Sequence, residues 1–501
     1  MKKRAISLAL IMSVLLCGVS CSESTQTNDN PDSAPTTIES GSQEGNTAES
    51  AEPESEILDD LPEGLDFGGR DIRFIVEEAG VGNLSVLSVY AEEDSGDLVP
   101  SVVFQRNLTI ADRLNLNIKL VDSVGQGSLS NPVRNSVNAD SDDYDIISAH
   151  QYDSIHLAPE GLLLNLSGLD YLDFDREYWA SDFIQNMGYL DVLPWATGDA
   201  ALRYTGGMYA TFVNSEIWGN NYADINIYDL VLEGEWTLDK MRELTENVYE
   251  DANGDGIRDE GDIYGFILSF EDPIEGMAAA SKVQFSVNNE ENIPEIALAN
   301  EHTYAFYDKM YALVITNNGF YNTPRDDSRT TMKMFSEGHS LFTVNKVFNA
   351  EINLRDMETD FMLIPAPKLD TNQAEYNTRT HDSMSIYGIP ITNSDTDATT
   401  ATLEALASES YRTVTPAYYE TALKVKYVRD SESGQMIDLI RKNVSSDFAS
   451  MYSGSISGIV HTFRGSLESG KESIASTMQK ASKLWTNALN VLIERIQDSA
   501  N

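Results

Sequence analysis

Asp71-Ile72-Arg73-Phe74-Ile75-Val76 alternates polar and apolar side chains and then runs apolar, the pattern of a buried strand. Downstream, Val99, Val103, Ile110 and Leu114 recur at helical spacing, and Leu116-Asn117-Ile118-Lys119-Leu120-Val121 returns to a period of two. Tyr144-Asp145-Ile146-Ile147-Ser148 then reads as a second short buried strand. Strand, helix and strand in alternation predict an α/β lobe whose helices cover both faces of its sheet, and ligands of such sheets bind at strand ends.

Further along, Thr237 has the position of a helix N-cap, with Asp239 in the first turn and Leu238, Met241, Leu244 and Val248 on one face, so a helix is expected to end near Tyr249. Ile474, Met478, Ala481, Trp485, Leu489, Leu492 and Ile496 repeat at three- and four-residue steps and predict a long amphipathic helix closing the chain.

The first residues carry an export signal. Lys2, Lys3 and Arg4 precede an apolar run from Ala5 to Leu16, too short to span a bilayer, and Gly18-Val19-Ser20-Cys21 follows. Small residues directly before a cysteine resemble the lipobox of bacterial lipoproteins, which implies cleavage ahead of Cys21 and acylation of its sulfur. Cys17 falls in the leader, so the mature chain has no second cysteine and no intramolecular disulfide. Residues 22–66 contain no Lys or Arg, are rich in Ser, Thr, Pro, Asp and Glu, and are expected to form a disordered acidic tether reaching about 35–40 Å.

With 80 acidic and 34 basic residues the net charge is -46. Nucleic acid is excluded as a partner, because phosphate binding depends on Lys and Arg displacing counterions, and adsorption to anionic lipid is opposed for the same reason. No second long apolar run follows the leader.

Asp251-Ala252-Asn253-Gly254-Asp255-Gly256-Ile257-Arg258-Asp259-Glu260-Gly261-Asp262 places side-chain oxygens at positions 1, 3, 5, 9 and 12 of a calcium loop, with the Ile257 carbonyl at position 7 and glycine at the tight turn. A structural calcium ion is expected on Asp251, Asn253, Asp255, Ile257, Asp259 and Asp262. Asp262 in place of glutamate, Arg258 at a normally apolar position and a strand-like exit from Ile263 argue against a paired, signalling EF-hand. The six histidines show no zinc-hydrolase spacing, and no nucleotide loop or nucleophile elbow is complete.

From Gly68 onward the chain resembles the bacterial extracellular solute-binding proteins of the maltodextrin-binding type. The resemblance is carried by Thr197-Gly198-Asp199, by EGEWTLDKMRELTENVYEDANGDGIRDEGDIYG (233–265) and by VTPAYYETALKVKYVRDSES (414–433). It implies an α/β, two-lobe, periplasmic-binding-protein-like fold with crossing strands at the hinge. Lobe 1 would comprise residues 67–207 and 384–445, and lobe 2 residues 208–383 and 446–497. It further implies a monomeric, extracytoplasmic, lipid-anchored protein without catalytic residues that captures a small solute, a sugar or oligosaccharide, and delivers it to the permease subunits of an ABC importer.

Asp145 to Tyr152 resembles the family's strand and loop that present polar groups to sugar hydroxyls, which places Gln151, Tyr152 and Asp153 at the ligand. Leu341 to Phe348 resembles the second-lobe strand ending in an aromatic platform, which would be Phe348. A sugar offers C–H faces to rings and needs polar partners for its hydroxyls. On those grounds Trp179, Trp195, Tyr204, Tyr209 and Tyr452 are further candidate rings, and Asn345, His381 and Asp382 candidate polar contacts. A glycoside hydrolase, which needs two carboxylates, and a sensor or adhesin lipoprotein remain as alternatives.

Overall fold

The computed structural model describes residues 59–78, 83–92, 96–189, 191–424 and 431–499. The leader, Cys21 and the tether as far as residue 58 lie outside the described residues; the last stretch expected in the tether, 59–66, is instead held on the first lobe, with Asp59 ion-paired to Arg113 at 2.6 Å and Leu61 buried.

Twelve strands are described: β1 (Arg70–Glu78), β2 (Leu116–Gly125), β3 (Ile146–His150), β4 (Tyr209–Asn214), β5 (Tyr249–Glu250) and β6 (Ile263–Ser269), then β7 (Ser286–Asn288), β8 (Pro294–Ile296), β9 (Phe320–Thr323), β10 (Ser340–Lys346), β11 (Phe361–Pro365) and β12 (Ser385–Gly388). They form two main sheets. The first has the order β12-β3-β1-β2, with β1 parallel to both β2 and β3, and β12 antiparallel to β3. The strand–helix–strand reading from Asp71 onward holds: β1, the helix Leu98–Leu114 and β2 follow in turn. Val99, Val103, Ile110 and Leu114 form that helix's buried face. Every residue of β3 is buried, Ser148 and His150 included. Asp145, just ahead of it, is pinned by Arg73 Nε at 2.8 Å and by Arg70 at 3.0 Å.

The second sheet has the order β11-β4-β10-β6-β5, with β9 also paired to β6. Its β6, β9 and β10 run parallel, while β4 is antiparallel to both β10 and β11. Thr237 caps the helix Leu238–Thr245 by accepting from the Lys240 amide at 3.2 Å, as its position predicts. The helix stops four residues before the expected Tyr249, because Tyr249 and Glu250 leave it to pair with β6 as β5. In that position the Tyr249 ring lies 5.6 Å from Tyr264, and Arg258 covers it at 4.0 Å.

The closing helix, Ala475–Ser499, buries Met478, Trp485, Leu489, Leu492 and Ile496 as expected. It lies against both β8 and the short helix Ile155–Glu160 that follows β3, and Ser499 Oγ donates to the Ala158 carbonyl at 3.2 Å. The helix Ser431–Lys442, expected with the first lobe, packs on β11 of the second sheet, where Met436 and Ile440 are buried. Among the described residues no helix is long and apolar enough to cross a membrane.

Candidate ligand-binding cleft

Strand direction brings distant segments to one place. β3 ends at His150, β10 at Lys346 and β6 at Ser269, and all three are members of parallel pairs. β12 and β4 run the other way, so their starts meet those ends: Ser385 pairs with His150, and Tyr209 with Lys346. The result is a cavity of about 370 Å³ lined from both sheets, by Tyr152, Asp382 and Ser383 on one side and by Asp272, Lys346 and Phe348 on the other. Its volume falls in the range of about 300–1,000 Å³ usual for small-ligand sites.

Asp272 organises the second-sheet side. Its Oδ2 accepts from the Tyr209 hydroxyl at 2.6 Å and from Lys346 Nζ at 2.9 Å, and lies 3.4 Å from His381 Nε2. None of these contacts uses Oδ1. Burial by itself would raise the Asp272 carboxyl, but Lys346, His381 and Tyr209 together hold it well below the usual carboxylate range. Burial likewise disfavours the Lys346 ammonium, and Asp272 more than offsets it. Gly276 permits the arrangement, since a Cβ there would stand 2.6 Å from the Tyr209 ring.

On the first-sheet side, buried Glu77 accepts from the amides of His150 (3.0 Å) and Gly127 (2.6 Å) and from Ser154 Oγ (2.6 Å), fixing the turn after β3. The Tyr152 amide donates to the Asp382 carbonyl at 3.0 Å, which leaves the Tyr152 ring exposed over the cleft. Burial pushes the His150 imidazole down to about 4, so that ring is neutral at neutral pH, and burial also lowers His381.

Of the twelve expected ligand residues, Tyr152, Phe348, His381 and Asp382 line this cleft. Tyr209 stands directly behind it. Asp153 is beside it, accepting from Gln126 at 2.9 Å. Gln151 points instead to the crossing segment, donating to the Met451 carbonyl at 2.9 Å, and lines a second cavity of about 280 Å³ with Glu275, Arg379 and Asp447. Trp179 and Tyr204 line a third cavity, beside Asp199 and Arg441.

Trp195, Tyr452 and Asn345 are core residues. Trp195 donates to the Ile155 carbonyl at 3.3 Å and packs so closely on β12 that a Cβ at Gly388 would meet it at 2.7 Å. Tyr452 is tilted against Phe448 at 4.8 Å, and Asn345 Oδ1 accepts from Asn349 at 2.9 Å. These aromatic positions near the crossings are filled because the lobe junction itself needs a core. Sequence reasoning passed over Asp272, Lys346, Arg203 and Ser383. The available signal was position, for Asp272 follows the apolar run of β6 and Lys346 ends the strand already singled out for Phe348.

The loop from Asp251 to Asp262 joins β5 to β6. Asp251 accepts from the Gly254 and Gly256 amides at 2.8 and 3.0 Å, Asn253 from Asp255 at 2.9 Å, and Asp255 from Ile257 at 2.7 Å. Asn253 Nδ2 reaches Asp259 at 3.3 Å. Asp262 is buried, with Oδ2 accepting from Tyr249 at 3.1 Å and Oδ1 left without a hydrogen-bond partner. Among the described residues no group of three or more His, Cys, Asp or Glu is gathered into metal-holding geometry.

No family model matches the chain, and no curated protein matches its sequence. Solved structures do match. A cyclo/maltodextrin-binding protein complexed with maltotetraose is 11% identical, with 86% of this chain and 98% of that one covered and a TM-score of 0.54. UspC of M. tuberculosis is 11% identical over 83% of this chain and 100% of its own, with a TM-score of 0.51. An ABC transporter solute-binding protein from Thermotoga lettingae, bound with alpha-D-tagatose, gives 11%, 84%, 100% and 0.51 in the same order. Identities this low establish a shared fold, and that fold is the two-lobe architecture of ABC solute-binding proteins.

Proposed function

We propose that this chain is the substrate-binding component of an ABC importer and that its solute is a saccharide held in the cleft between the two sheets. One observation carries the reading: Phe348, a half-buried ring, stands beside the hydrogen-bonding cluster of Asp272, His381 and Asp382 where strand ends of both sheets converge. Such a site supplies a surface for C–H faces and fixed partners for desolvated hydroxyls. The sugars in the cyclo/maltodextrin-binding and Thermotoga lettingae structures support the same class.

The test is calorimetric titration and thermal shift against mono- and oligosaccharides, peptides and polyamines, with product analysis for turnover. Binding of a sugar without hydrolysis is expected. A peptide or polyamine response with no sugar response would overturn the substrate class, and hydrolysis would overturn the binding role.

The anchoring reading is part of the same proposal: Cys21 carries lipid, the acidic tether gives reach, and the lobes work outside the cytoplasm as a monomer beside the permease. Radiolabelled palmitate should enter the wild type and not Cys21→Ala. We also propose a structural calcium ion in the loop from Asp251 to Asp262. Its support is the sequence spacing together with the unpartnered, buried Oδ1 of Asp262 at the twelfth position, since an orphaned carboxylate oxygen is costly unless a cation or donor meets it.

A further inference from the structure

The cleft differs in charge from the molecule around it. Acids outnumber bases 80 to 34 in the whole chain, yet the cleft lining holds more bases than acids. The bases are Arg203, Arg325, Arg329, Lys346 and Arg464, of which Arg325 is ion-paired with Glu468 at 2.5 Å. The acids are Glu271, Asp272, Asp327 and Asp382. Two of the cations are deeply placed, Lys346 at 2% exposure and Arg203 at 3%. Burying a charge is costly unless partners meet it; within the fold Lys346 meets Asp272, and Arg203 donates to Ser383 Oγ at 3.0 Å, and an anionic ligand would add to these partners where a neutral one would not.

Their placement is specific. The Arg203 guanidinium lies 5.9 Å from the centroid of the Phe348 ring and Lys346 Nζ lies 5.8 Å from it. A ligand resting against Phe348 would therefore have two cations within reach. Asp272 balances Lys346 at 2.9 Å. Arg464 pairs with Glu275 at 3.1 Å, but burial pushes that carboxyl up to about 8, so at neutral pH the pair keeps most of a positive charge. Arg329, exposed at the rim, donates to the Asp326 backbone carbonyl at 2.8 Å. A chain of net charge -46 repels anions at long range, and a local cationic lining is what an anionic solute would require in order to settle there.

We infer that the solute of this cleft is an acidic saccharide, a sugar bearing a carboxylate or a sulfate ester, with its ring on Phe348 and its anionic group received by Arg203, Lys346 and Arg329. The inference rests on the reading of the cleft as a saccharide site. The experiment is titration of the protein with oligouronates, with sulfated disaccharides and with the neutral oligosaccharides of matching linkage, at low and high salt. An acidic probe should bind at least about tenfold more tightly than its neutral counterpart, and salt should reduce that advantage. Arg329→Gln should lower the ratio of acidic to neutral affinity. The uronate and sulfate arms show which acid is taken. Equal or tighter binding of the neutral partner would overturn this inference and leave the saccharide reading standing. No binding by any saccharide would overturn both.

Discussion

The cleft and the loop at residues 251–262 are both dense in charge and oxygen, and they are built in opposite ways. Every residue of the loop is a sequence neighbour of the next, and its side chains turn first to their own backbone: Asp251, Asn253 and Asp255 all accept amides within five residues. The cleft takes Tyr152, Arg203, Asp272, Lys346 and His381 from five separate stretches, and Asp272 contacts partners as far as 109 residues away, at His381. A local site can be written in a dozen residues and be lost by changing one of them. A site made of strand ends depends on the core that holds the strands, so residues far from the ligand should decide whether it exists.

That contrast can be broken most sharply by exchanging a core ring for a cleft ring. Trp195→Ala should cost about 3–5 kcal/mol of stability, measured by denaturant unfolding, with ligand affinity per folded molecule kept. Phe348→Ala should lose about 1–3 kcal/mol of binding with a smaller loss of fold. The reverse pattern would move the ligand away from the cleft described above.

The loop gives a smaller effect confined to its own side of the molecule. Calcium at about a hundred times its dissociation constant should add about 2.7 kcal/mol, read as a rise in melting temperature that chelation reverses and Asp255→Ala abolishes. Sugar affinity should not change. A melting curve indifferent to calcium and chelator would remove the ion and leave the loop as a chain of Asx turns.

The smallest effect sharpens the charge balance behind the cleft. Burial pushes the Glu275 carboxyl up to about 8, and the guanidiniums of Arg379 and Arg464 offset only part of that. Because the folded pKa lies above the unfolded value near 4.5, the native state holds the extra proton, so this contribution is complete below about pH 4.5 and is lost as pH rises through 8. Between pH 6.5 and 8 the loss should be on the order of 1–2 kcal/mol, and Glu275→Gln should flatten it. A wild type and a variant with equal slopes would mean that Glu275 ionises in the fold.

Thr197-Gly198-Asp199, one of the passages that carried the resemblance, shows how a motif can be legible and yet belong to the scaffold. Thr197 Oγ1 donates to the Ser385 carbonyl at 2.7 Å, tying this segment to β12. Asp199 is buried, accepts from Thr415 at 2.7 Å and lies 3.2 Å from Arg441, with its carboxyl raised by burial to about 6. Phe348 could be singled out because it lies two residues past the end of β10, every residue of which is buried. Lys346, at the end of that strand, could not, because a lysine carries no sign of whether it will reach solvent or an aspartate 74 residues away.

The sequence by itself determined the α/β alternation of the first lobe, the cap at Thr237, the buried stripe of the closing helix and the oxygen spacing of the loop. Each of these is set by interactions within a few residues, by periodicity, capping and turn chemistry. Only the tertiary structure decided which rings line the cleft and which fill the core. Trp195 and Phe348 are equally hydrophobic in a sequence, and the difference is that Gly388 admits one into the core while the antiparallel pairing of β4 with β10 sets Tyr209, Asp272 and Lys346 together beside the other. Long-range register fixes that choice, and no local pattern encodes it.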